Sequence, residues 1–292
     1  MLSRISRLFE RRGKERPARP LGRLLRFPDF PSEHLEVDRD ITIYLPPGYG
    51  DDAKRRFPVF YIQDGQNLFD PETAFIRGKH WRLGETAGRL ILAGRVAPVV
   101  IVGVGNGGES RIDEYTPWPD ERRGEGGRAD LYGRFLVEEL MPFVDGRVRT
   151  ETGPRSTGLG GASLGGLVSL YLALARPDVF GSVAALSPSV WWHRSSILRT
   201  VRSLHHRPDV RIWLDIGSEE GRSHVKRVRL LRDALRAKGW NRGSRMAYLE
   251  AEGAVHDEFA WGERAGAILE YLFPPRRTLR RFLVPRKGGL SR

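Results

Sequence analysis

The 292-residue sequence contains no cysteine. Disulfides, thiol nucleophiles and Cys-ligated zinc are therefore excluded. No apolar run approaches the roughly 18 residues of a membrane-spanning helix. The N-terminus, Met1-Leu2-Ser3-Arg4-Ile5-Ser6-Arg7-Leu8-Phe9, is basic but lacks the following apolar stretch of a secretory signal. The twin arginine Arg11-Arg12 lacks one as well. Cytoplasm is the expected compartment, with peripheral attachment to a membrane as an option. The chain shows neither metal-ligand spacing nor a dinucleotide fingerprint with a distant acid. Gly103-Val104-Gly105-Asn106-Gly107-Gly108 reads as a plain glycine loop, and neither metal nor cofactor is expected.

The hydrophobic share is 40%, enough for a substantial core in one large domain or two small ones. The formal charge of +13 would ordinarily raise nucleic acid or an anionic membrane as partner. Its placement argues otherwise for the body. Residues 1–30 carry a net +6, residues 276–292 a net +7, and residues 31–275 hold 33 charges of each sign. The expected organisation is thus a basic tail over 1–30, a neutral globular body over 31–275 and a second basic tail over 276–292. In the first tail Leu2, Ile5, Leu8 and Phe9 recur near helical spacing among arginines. In the second, Leu279, Phe282 and Leu283 alternate with Arg pairs. Such segments suit an anionic membrane surface, the alternative being solvated termini. Neither has the aromatic interleaving of a nucleic-acid binder, so no specific nucleic acid is expected.

From residue 40 short apolar runs alternate with longer amphipathic ones. Residues 40–45 alternate polar and apolar before Pro46-Pro47-Gly48 and predict an antiparallel edge strand. Residues 58–62 and 98–104 are near-continuous β-branched runs, as in strands covered on both faces. Further strands are expected at 157–161, 182–186, 210–216 and 245–250. Helices are expected at about 81–94, 128–147, 165–175, 222–238 and 258–272. This alternation predicts an α/β fold, a mostly parallel central sheet with helices on both faces. The Gly/Arg/Glu-rich stretch 106–127 follows a strand, where loops border the ligand crevice.

Gly160-Gly161-Ala162-Ser163-Leu164-Gly165-Gly166 places a G-x-S-x-G motif between a short strand and an apolar helix. Small residues let strand and helix close around a serine that projects into the crevice. The helix N-terminus and the Leu164 N–H then face a developing oxyanion. Such a serine needs a base, and the order Ser, acid, His asks for one after the last strand. His256, in Glu252-Gly253-Ala254-Val255-His256-Asp257, fits. His224, His205 and His206 read as surface, while His80 and His193 are possible pocket residues. Asp215, Glu219 and Glu220 follow or end the preceding strand. Asp215 is expected inside it and Glu219 in solvent, leaving Glu220 as the preferred acid. After strand 58–62, Gly65 allows a turn that presents a second oxyanion donor, the main-chain N–H of Gln66. An ordinary Asp-Gly turn explains Gly65 equally well.

Several motifs appear together in one order: Tyr44-Leu45-Pro46-Pro47-Gly48-Tyr49, Asp64-Gly65-Gln66-Asn67-Leu68-Phe69-Asp70, Arg111 with Glu114-Tyr115-Thr116-Pro117, Gly161–Gly166, Ser187-Pro188-Ser189-Val190-Trp191-Trp192, Gly217–Gly221 and His256. In these the chain resembles the putative-esterase family of α/β-hydrolases, in its enterochelin-esterase-like branch, over about residues 35–273. The resemblance implies an α/β-hydrolase fold and a small-molecule ester substrate. It also implies a Ser163, His256 and Glu220 triad acting through an acyl-enzyme. It places Trp191 and Trp192 at the acyl or alcohol pocket, with core packing as the alternative. Arg111 and Tyr115 become candidates for contact with an anionic or phenolic substrate, the alternative being a solvated lid. Acyl transfer on the same triad and a non-catalytic binding protein on a hydrolase scaffold are the rival readings. The charge map also makes a prediction. Deleting residues 1–30 should leave turnover of a soluble ester nearly unchanged but reduce retention on anionic vesicles in a flotation assay, and unchanged retention would reject the membrane role.

Overall fold

The computed structural model describes residues 20–241 and 245–275; both amphipathic tail patterns, at 2–9 and 279–283, lie outside the described residues. The chain opens with strands β1 (Arg23–Phe30), β2 (Arg39–Leu45) and β3 (Val59–Gln63), followed by α1 (Leu83–Leu92) and β4 (Val100–Val104). A short helix α2 (Arg111–Glu114) precedes a helical run from α3 (Ala129–Arg134) to α4 (Met141–Arg147), joined through π-helical turns over Phe135–Leu140. Then β5 (Thr157–Ala162), α5 (Leu164–Ala175), β6 (Ser182–Leu186), α6 (Trp192–Ser203), β7 (Arg211–Gly217), α7 (Arg222–Leu235), β8 (Met246–Ala251) and α8 (Glu258–Leu272) complete the α/β alternation.

The eight strands form one sheet in the order β1-β2-β4-β3-β5-β6-β7-β8, parallel from β4 to β8 and antiparallel at β1 and β2. This is the α/β-hydrolase fold. Strand periodicity divides the core between the two faces. Val59 and Tyr61 join the cluster that carries Leu136, Leu167, Val201 and Val228, whereas Phe60 and Ile62 join Ala87, Trp261, Ile268 and Leu269. Helices α1 and α8 therefore cover one face and α3 to α7 the other.

Two expectations are corrected. Arg23–Phe30, assigned to the basic tail, forms the true edge strand and pairs Arg23 with Leu45 through Phe27 with Ile41. β2 is consequently internal. The sequence of β1 disguises it, because Pro28 interrupts the run and Asp29 takes a left-handed backbone (φ 51°) where the register shifts. Proline and bulges of this kind are how edge strands avoid further pairing. Deleting residues 1–30 would thus remove β1 along with the tail. Helix α6 was also unforeseen. Its first turn contains three consecutive left-handed residues, His193, Arg194 and Ser195, which leave no regular apolar stripe to read.

The topology switches direction between the neighbouring strands β3 and β5, and ligands of open α/β sheets bind at the strand carboxyl ends there. Two close approaches keep those ends together. A Cβ on Gly65 would lie 2.4 Å from the Gly103 carbonyl carbon of β4, and one on Gly161 would lie 2.7 Å from that of Gly165. Gly65→Ala should therefore push the β3 loop away from β4. A destabilisation of about 1–3 kcal/mol is expected in urea denaturation, as for other over-packed sites.

Candidate active site

Ser163 sits between β5 and α5 with φ 56° and ψ −119°, a sparsely populated conformation for a residue with a side chain. Hydrogen bonds over-determine it. Its N–H donates to Leu186 O at 3.0 Å, and its carbonyl accepts from Ser189 N–H at 3.0 Å and Leu167 N–H at 3.1 Å. The side-chain Oγ pairs with Ser189 Oγ at 3.2 Å. Leu164 is the first residue of α5, so its N–H is one of those that the helical ladder leaves unpaired.

Further along the same carboxyl-end edge of the sheet, Glu220 follows β7 and His256 follows β8. Glu220 Oε2 lies 2.6 Å from His256 Nδ1. The Glu220 side chain is fully buried, while that of His256 is 37% exposed. The other carboxylate oxygen, Oε1, accepts from Gly217 N–H at 2.8 Å and from Ser187 Oγ at 2.5 Å. Burial pushes the Glu220 carboxyl up, but these hydrogen bonds from His256, Ser187 and Gly217 outweigh it and hold the group below its ordinary range. Asp215 points inward from β7 to Trp213 Nε1 and Ser187 N–H, and Glu219 makes only a local contact with Ser218. Glu220 is thus the one of the three carboxylates that meets His256.

Ser163 and His256 line a common cleft of about 330 Å³ with Asp64, Asn67, Phe75, Asn106, Arg111, Glu258 and Trp261. Asp64 ends β3 in a left-handed conformation (φ 57°). Its carboxylate accepts two bonds from Arg111, at 2.7 and 2.8 Å, and one from Asn106 Nδ2 at 2.7 Å. Its N–H donates to Tyr115 Oη at 3.3 Å. Gln66 lies one residue past Gly65, and its side-chain Oε1 accepts from Asn106 N–H at 3.4 Å.

The expected substrate contacts fare unevenly. Arg111 reaches the cleft, with its guanidinium engaged by Asp64. Tyr115 does not, being wholly buried where it supports the Asp64 turn. Trp192 is core, its Nε1 donating to Trp118 O at 2.8 Å. Trp191 is 39% exposed beside Arg123 and is not part of the cleft wall. His224 was read as surface, but its ring packs 5.5 Å from that of His256, with Nδ1 3.5 Å from Glu220 Oε2. Glu220, His224 and His256 form the group of potential metal ligands among the described residues.

Sequence reasoning missed the supports. Ser187, itself left-handed (φ 42°), receives Trp261 Nε1 at 3.1 Å and Arg264 Nη2 at 3.0 Å while donating to Glu220. Arg264 Nε also lies 3.2 Å from Asp215 Oδ2. A signal existed, since Arg264 interrupts the apolar stripe Trp261, Ala265, Ile268, Leu269 and Leu272 of α8. A lone cation on a buried face requires an anionic partner.

A family model described as Putative esterase matches residues 32–270. The chain belongs to this family. It is a carboxylic-ester hydrolase of the enterochelin-esterase-like branch. It is 30% identical over 260 residues to Uncharacterized protein YbbA of Bacillus subtilis, spanning 85% of this chain and 97% of that protein. It is also 30% identical over 181 residues to ferri-bacillibactin esterase BesA of the same organism, covering 57% of this chain and 56% of BesA. Among solved structures, the BES protein from Bacillus cereus shares the fold at a TM-score of 0.66 and 22% identity, covering 89% of this chain and 97% of that one. The enterobactin esterase FES from Shigella flexneri does so at 0.66 and 20%, covering 86% of this chain and 59% of that one.

Burial also holds the His224 imidazole below its ordinary pKa near 6.5, against the opposing pull of Pro188 O and Glu220. Below that pH the unfolded chain binds the proton more readily than the folded one, so stability falls as pH drops. His224→Gln should show a smaller fall in urea midpoint between pH 7.5 and 5.5 than the wild type.

Proposed function

We propose that this hydrolase works through an acyl-enzyme on Ser163, with His256 as base and Glu220 as the acid that orients it, on small-molecule esters. The observation that carries this reading is the 2.6 Å contact between His256 Nδ1 and a buried Glu220, on the cleft that also exposes the strained Ser163. Glu220 fixes the proton on Nδ1 and leaves Nε2 as the acceptor. Ser163 Oγ turns from Ser189 as it attacks the ester carbonyl, and its proton passes to His256 Nε2. The N–H groups of Leu164 and Gln66 hold the oxyanion, each donor of this type contributing about 2.7–4 kcal/mol to transition-state stabilisation. His256 then protonates the departing alcohol, and water activated by the same imidazole releases the acid.

The buried charges favour this sequence of events. Asp215 and Glu220 place two carboxylates against the one guanidinium of Arg264. The imidazolium formed on His256 supplies the second positive charge only when the proton arrives. Siderophore esters are the substrate class that relatives such as BesA and FES bring forward. Cleft walls of Phe75, Trp261 and the Asp64–Arg111 pair suit an ester with an aromatic or polar substituent. No helix among the described residues is long and apolar enough to cross a membrane.

A fluorophosphonate probe should label Ser163 in the wild type and leave Ser163→Ala unlabelled. Hydrolysis of a short p-nitrophenyl ester should fall by about 10⁶-fold in Ser163→Ala, and by about 10⁴-fold in Glu220→Gln, as for other triads. Full activity in Ser163→Ala would overturn the assignment.

A further inference from the structure

His224 lies outside the machinery just described, yet its ring is placed with care. Nε2 stands 3.0 Å from the carbonyl oxygen of Pro188, which can only accept, so Nε2 carries the proton of the neutral ring. Nδ1 is then a bare lone pair, and it lies 3.5 Å from Glu220 Oε2, another acceptor. Two acceptors thus face one another with no proton between them. The same carboxylate oxygen is 2.6 Å from His256 Nδ1, and each of the three residues offers a ligand atom within 4.8 Å of those of the other two.

We infer that Glu220, His224 and His256 form an inhibitory site for a divalent metal ion of the zinc type. This inference rests on the proposed role of His256 as base. Two imidazoles and one carboxylate are a donor set that holds zinc with a fourth position open. Tetrahedral zinc with bonds of about 2.0–2.2 Å separates its ligands by about 3.3–3.5 Å. The spacing between His224 and Glu220 already meets that requirement, and the one between His256 and Glu220 needs to widen by less than about 1 Å. The outer contacts are those that ligating groups require. His224 donates its far N–H to a carbonyl, and Glu220 is anchored through Oε1 by Gly217 N–H and Ser187 Oγ. Partial exposure of the His256 side chain gives an ion access from solvent.

Occupation of this site blocks the base by a shift of tautomer. Neutral His256 has one ring proton, held on Nδ1 by Glu220. When Nδ1 binds the metal, that proton moves to Nε2. No proton is lost, but the atom that would accept from Ser163 already carries one. Hydrolysis stops until the metal is removed. Because the chain has no cysteine, thiolate capture cannot produce the same inhibition.

The test uses the full chain and zinc itself. Calorimetry on Ser163→Ala should show one zinc bound per chain. Adding His224→Ala, or the milder His224→Gln that keeps a donor to Pro188, should weaken binding at least tenfold. In the active protein, zinc should inhibit p-nitrophenyl ester hydrolysis reversibly, with EDTA restoring the rate. The same His224 substitutions should raise the inhibitory concentration at least tenfold, each read against its own metal-free rate. Zinc affinity unchanged by both His224 substitutions, or no stoichiometric binding, would overturn the inference. The two readings fail separately, since a wrong nucleophile assignment appears as hydrolysis retained in Ser163→Ala and a wrong metal site as missing binding on that same variant.

Discussion

A carboxylate without access to water has to be surrounded by donors, and Glu220 sets that requirement for the carboxyl-end face of the sheet. Its Oε1 draws in the main chain of its own turn and the Ser187 hydroxyl after β6, while Oε2 takes the ring from the loop after β8. Ser187 in turn gathers Trp261 and Arg264 from α8, and Arg264 reaches across to Asp215 in β7. Three successive strand ends and the last helix are therefore tied together by the cost of burying charge. Leaving any one of these groups unpaired would cost more than a net hydrogen bond contributes, because desolvation is then uncompensated.

A second clamp operates on the opposite wall. Asp64 closes the turn after β3, and its carboxylate binds Asn106 from the loop after β4 and Arg111 from α2. Tyr115, buried behind it, holds the Asp64 N–H. The elbow at Ser163 stands between the two clamps, on β5, and is fixed by main-chain bonds to the segment after β6. The cleft is thus framed by two rigid polar assemblies built from different parts of the chain. Ser189 belongs to both the elbow and the frame, since its N–H holds the Ser163 carbonyl and its hydroxyl meets Oγ.

The alternation of strands and helices was legible because buried parallel strands are apolar throughout and their covering helices are amphipathic. Ser163, Glu220 and His256 were legible because each ends or follows a recognisable strand, and strand order fixes which loops meet. β1 was not, since an edge strand tolerates proline and charge that elsewhere argue against a strand. Tyr115 and Trp192 show the converse limit. Their motifs stand beside the site, but aromatic bulk gives no indication of which way a ring points. Arg264 and Ser187 act on the acid through space from distant elements, and His224 lies one helical turn beyond Glu220. Their significance depends on a packing that no local pattern specifies.

The linear order of the site has a consequence for a chain still being made. The bonds that fix the Ser163 turn are complete only with Ser189, whereas His256, the proposed base, stands 93 positions after Ser163 and α8 comes later still. At about 5–20 residues per second, synthesis of that interval occupies roughly 5–20 s. During it Ser163 exists without His256, which joins the cleft only as the final strand and helix dock. On the proposed reading, docking of β8 and α8 is the step that brings His256 to Ser163.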